Sequence, residues 1–113
     1  MDDNDAILLF AGAWYHNSDA IKARLAIGLE RYGHGVRVND DTTQWGTEKN
    51  SWLEMGLEEI DDLAIYVTAE LLRRSNGRPL VKRKDFPERT EFFSVLADMS
   101  IIRDRIVLLM NDA

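Results

Sequence analysis

The sequence predicts an all-α protein, a helical bundle of three long helices and a short N-terminal helix. Three observations carry this. Leu, Glu, Ala, Arg and Met are plentiful. Apolar residues recur at helical spacing rather than in alternation. The two prolines, Pro79 and Pro87, leave long stretches free to be helical. A length of 113 residues suits one domain, 1–113, and 45% hydrophobic residues supply a core.

Residues 5–15, Asp-Ala-Ile-Leu-Leu-Phe-Ala-Gly-Ala-Trp-Tyr, read as a short buried helix, although a buried strand would carry the same apolar signature. Asn17 or Ser18 is a good N-cap for the next helix, roughly 19–33. Its apolar stripe is Ile21, Leu25, Leu29 and Tyr32, and Gly33 and Gly35 end it. Residues 34–50 form a long connection rich in turn formers. Loops of this length in small domains are usually functional or disordered, and Trp45 with Val36-Arg37-Val38 argues for order.

Asn50 or Ser51 caps a central helix that reaches about Arg74. Ser75-Asn76-Gly77 stops it, with Arg73 and Arg74 at the negative end of the helix dipole. Pro87 suits a first helical position, so a last helix runs from about 87 to 110. Phe92, Leu96, Met99, Ile106 and Met110 form its core stripe. Phe93, Ile101, Val107 and Leu108 lie off that stripe. A helix apolar on several sides is buried on several sides, so at least a homodimer is expected.

The absence of cysteine excludes a disulfide framework, a thiol nucleophile and a cysteine zinc site, and fits a cytoplasmic protein. A net charge of −6 argues against a general nucleic-acid binder. The basic residues are uneven: Arg73, Arg74, Arg78, Lys82, Arg83 and Lys84 cluster without an acid among them. That stretch reads as an exposed loop or a second phosphate site. The longest early apolar run, Ala6 to Tyr15, is far short of the ~20 residues of a membrane span. It follows three acids, unlike a signal peptide.

Chemistry concentrates on the central helix, where Glu54, Glu58, Glu59, Asp61 and Asp62 precede an apolar stretch. Glu58 and Asp62 fall on one face, one turn apart. Two turns later that face becomes Ile65, Tyr66, Ala69 and Leu72. The acids are thus expected to point into a groove with an apolar floor. Crowded carboxylates repel one another, and a divalent cation removes the penalty; Mg²⁺ in particular takes oxygen ligands. The competing reading is a solvated acidic face near a helix N-terminus, where the dipole favours negative charge.

Glu58-Glu59-Ile60-Asp61-Asp62-Leu63-Ala64-Ile65-Tyr66 resembles the Glu-Glu-x-x-Asp-hydrophobic string of MazG-like, all-α nucleoside triphosphate pyrophosphohydrolases. Gly28-Leu29-Glu30-Arg31-Tyr32-Gly33 resembles the G-x-x-[KR]-Y-G signature of phage-type members, and Trp52 sits where such members often carry a tryptophan. The resemblance covers about residues 18–74. It implies a homodimer or homotetramer cleaving a nucleoside triphosphate to a monophosphate and pyrophosphate with Mg²⁺. By position, Glu59 and Asp62 match the metal pair, with Glu58 the adjacent acid. The family's earlier Glu-Glu-x-x-Glu motif is reduced to Glu30 in Ala26-Ile27-Gly28-Leu29-Glu30.

With that chemistry, Glu58 or Glu30 is the candidate base and Asp98 a candidate extra metal ligand. Arg31, Arg37, Lys22 and Lys49 are candidates for the phosphates, and Trp52 and Trp45 for the base. His16 and His34 lack zinc spacing. The alternatives are a non-catalytic helical interaction module and a degenerate member that binds nucleotide or metal only.

Overall fold

The computed structural model describes residues 1–76 and 89–111. Among these are four α-helices, α1 (Asp3–Trp14), α2 (Ser18–Tyr32), α3 (Trp52–Ser75) and α4 (Arg89–Asn111), one short 3-10 helix (Thr42–Trp45) and no strand. The all-α class therefore holds. Arg78, Lys82, Arg83, Lys84 and the expected helix start at Pro87 lie outside the described residues. The chain divides into two compact units, Met1–Asp41 and Thr42–Ala113.

The first unit is the hairpin of α1 and α2. The Asp2 carboxylate accepts from the Asp5 N–H at 2.8 Å, and the Asn17 side chain accepts from the Ala20 N–H at 3.2 Å. Each satisfies an orphan donor at a helix start. The expected helix at 5–15 is present, but it is not buried: Phe10 and Trp14 are 66% and 87% exposed. A helix that is apolar all round meets only one neighbour in a hairpin, so much of its surface stays uncovered. On α2, Ile21 and Leu25 are half-buried, whereas Leu29 and Tyr32 are exposed.

Gly33 ends α2 in the left-handed conformation at φ 75°. Gly35, expected as a second terminator, has a different task. A Cβ there would lie 2.9 Å from the Asn4 side chain. That closeness lets Asn4 Oδ1 accept from the Val36 N–H at 2.8 Å, while Asp3 Oδ2 accepts from the Val38 N–H at 2.9 Å. The loop after α2 is thus pinned to the first turn of α1.

The second unit is the hairpin of α3 and α4. Leu53, Leu57, Ile60, Ala64, Val67 and Leu71 face inward from α3, alternating steps of four and three. From α4 come Phe92, Leu96, Met99, Ile106 and Met110, the expected stripe. Arg103 occupies the position that the same rhythm leaves between Met99 and Ile106. Leu71 and Met99 are the buried apolar residues among those described. Asn76 closes α3 at φ 47°, a left-handed cap that Asn tolerates. The Arg74 guanidinium stands 5.3 Å from the Phe92 ring centre, joining the end of α3 to the start of α4. No helix among the described residues is long and apolar enough to cross a membrane.

Candidate functional site

The connection before α3 is a knot of polar side chains around Thr42, which is fully buried. The Thr42 N–H donates to Asn50 Oδ1 at 2.9 Å, and its hydroxyl donates to the same oxygen at 3.1 Å. Thr42 Oγ1 accepts from the Ser51 N–H at 2.7 Å. The buried Thr47 hydroxyl lies 3.1 Å from Thr42 Oγ1 and donates to the Lys49 carbonyl at 2.5 Å. Turn-forming residues thus satisfy one another internally, so this segment is ordered.

Trp45 and Trp52 are carried on this knot. Their ring centres are 5.5 Å apart with planes at 52°, a favoured tilted arrangement, and 45% and 40% of the two residues is exposed. Sequence reasoning named both tryptophans but not the knot that seats them.

The five acids in the first half of α3 separate into two classes. Glu54 is a capping group. Ser51 Oγ accepts from the Leu53 N–H at 3.2 Å, and Glu54 Oε2 accepts from the Lys49 N–H at 2.8 Å. A reciprocal cap would have Glu54 take the Ser51 N–H, but Thr42 already holds that donor, and Glu54 reaches two residues further back. Ser-x-x-Glu at 51–54 was the signal that could have found this role.

Asp61 is bound to α4. Arg103 Nε donates to Asp61 Oδ1 at 2.8 Å and Arg103 Nη2 to Oδ2 at 3.3 Å. This hydrogen bonding, aided by the positive charge, holds the Asp61 carboxyl below its ordinary value and raises the guanidinium's.

Glu58, Glu59 and Asp62 form the other class. They are exposed and make no ion pair among the described residues. Among the described residues of this unit, none covers these acids to form the expected groove. The hydrocarbon that follows on the same face is also uncovered, with Ile65 62%, Tyr66 67% and Leu72 54% exposed. The reason is positional: α4 covers the opposite arc of α3, and Asp61 sits at its edge. Asp98 is exposed on α4. Among the described residues no group of three or more His, Asp or Glu is placed to hold a metal ion. Two carboxylates one turn apart can offer hard oxygen ligands to one cation, leaving other positions to water, phosphate oxygens or acids outside the unit.

Lys22, Glu30, Arg31 and Arg37 belong to the first unit, and Lys49, Trp45 and Trp52 to the second. Lys22, Glu30, Arg31 and Lys49 are exposed. Arg37 is committed to its own turn: Nη2 donates to His34 Nε2 at 2.6 Å, and Nε pairs with Asp40 Oδ2 at 3.3 Å. His34 in turn donates from Nδ1 to the Gly35 carbonyl at 2.6 Å. His34 is therefore a turn residue, as a histidine without zinc spacing should be. Neither a protein-family model, nor a curated protein, nor a solved structure matches the chain.

Proposed function

We propose that the chain is a subunit of a Mg²⁺-dependent nucleotide pyrophosphohydrolase of MazG-like type, a cytoplasmic homodimer or homotetramer. It cleaves a nucleoside or deoxynucleoside triphosphate to the monophosphate and pyrophosphate. The observation that carries the reading is the sorting of the α3 acids. Glu54 and Asp61 are engaged in capping and pairing, whereas Glu58 and Glu59, with Asp62 one turn on, stand exposed and without an ion pair among the described residues. Those three are the acids that match the metal string of the resembled family.

In this mechanism Glu59 and Asp62 would hold the cation, which would supply charge neutralisation at the phosphates when bound. A water oxygen attacks the α-phosphorus, the bond to the bridging α–β oxygen breaks, and pyrophosphate leaves. Glu58, on the same helix, is the acid placed to accept the proton. Lys49, in the same unit as these acids, is an exposed cation suited to the outer phosphates. Trp52 and Trp45 offer a stacking face for the base.

A non-catalytic helical interaction module is the second reading. It is favoured by the exposed Ile65, Tyr66 and Leu72, which form one patch with the acids. A pyrophosphate-release assay over a panel of NTPs and dNTPs separates the two. Release should require Mg²⁺, cease in EDTA, and fall by about 10²-fold or more in Asp62→Ala, as loss of a metal ligand implies, while Asp61→Asn retains it. Release that survives EDTA or is unchanged in Asp62→Ala overturns the metal mechanism. No release from any nucleotide leaves the interaction module.

A further inference from the structure

The inward face of α3 is one heptad seam, and a second runs beside it. Glu58, Asp62, Ile65, Ala69 and Leu72 are spaced four, three, four and three residues apart, and all five are exposed. Steps alternating between three and four are the pattern by which one helix packs along another at a shallow angle. The α3–α4 hairpin uses the first seam. The second has an apolar half at 65–72 and an acidic half at 58–62. Just beyond its apolar end stands Arg73, whose side chain is 80% exposed.

We propose that this second seam is closed by the same seam of a second copy running antiparallel, about a two-fold axis between Ile65 and Tyr66. Helix polarity and charge choose that occupant. A parallel copy would set acids on acids, whereas the antiparallel one places Glu58 opposite the partner subunit's Arg73. Asp62 then faces the partner subunit's Ala69, whose small side chain leaves room beside the carboxylate. Ile65 faces the partner subunit's Tyr66. Arg73 can turn to this task because its intrachain partner, Glu70, is also paired by Arg74 at 3.6 Å. Charges at the seam fix orientation and register.

The inference takes the homodimer of the proposed function and names its surface. The partner copy then contributes an arginine and a wall to the acidic site, which one copy leaves open. Assembly can be read without nucleotide or Mg²⁺, so failure of the interface and failure of the catalytic reading are distinguishable.

The absence of cysteine makes the test direct. Single-cysteine variants Ile65→Cys, Ile101→Cys and Leu9→Cys are oxidised under mild conditions and run on a non-reducing gel. Ile65→Cys should yield mostly disulfide-linked dimer, and the other two mostly monomer. In light scattering, Glu58→Arg and Arg73→Glu should each weaken the dimer about tenfold, and the double variant should recover most of that loss. Cross-linking through Ile101→Cys but not Ile65→Cys would place the interface on α4 and overturn the proposal. So would a monomer at micromolar concentration, or a double variant no tighter than its parents.

Discussion

Thr42 shows how much one hydroxyl can organise. It is fully buried, and its Oγ1 accepts the Ser51 N–H at the start of α3. Thr42→Val keeps the shape and strands that donor, so it should cost about 1–3 kcal/mol of stability, measurable by urea denaturation. Asp61 yields a pH prediction. Arg103 lowers its folded value below the ordinary 3.8, so its contribution is fully present above that value and is lost as pH falls through the lower folded one. Asp61→Asn should therefore be less stable than wild type at neutral pH, with the difference shrinking towards zero in strong acid. Thermal melts across the acid range check this.

At the scale of elements, α3 carries most of what could be read in advance. Its start at Ser51, its end near Ser75 and its inward seam follow from a cap, a stop signal and apolar spacing. The inward stripe of α4 was legible for the same reason. Arg103 was not, because a charged residue in a seam position breaks an apolar pattern; only the gap between Met99 and Ile106 betrays it. The 42–51 knot was invisible because its hydrogen bonds link side chains whose spacing has no period. The capping role of Glu54 is hidden within the acid cluster because adjacency in sequence masks the different work of neighbouring acids. Whether the acid face borders a groove is not legible, since periodicity tells which residues share a face but not what lies across from it. Leu71→Ala removes the most buried apolar side chain among the described residues, 2% exposed, and should cost roughly 2–5 kcal/mol in thermal or denaturant unfolding.

On the scale of the whole molecule, exposed apolar surface is the dominant fact. In the second unit Leu63, Ile65, Tyr66, Leu72, Phe93 and Leu108 are each more than two-fifths exposed. A hairpin with so few buried side chains among those described would gain stability from the association proposed above. Its melting temperature should accordingly rise with protein concentration, and differential scanning across a hundredfold dilution would show it. A concentration-independent melt would contradict assembly.

The tryptophan pair gives this chain an optical gauge of its own. Trp45 and Trp52 couple only while the Thr42 network holds their backbones in place, and the third indole, Trp14, is 87% exposed and far less structured by its surroundings. The near-ultraviolet circular dichroism of the pair therefore tracks the threshold of α3 separately from helix content. A Thr42 variant that keeps its far-ultraviolet spectrum yet loses the indole couplet would show the doorway to the helix loosening while the helix itself endures.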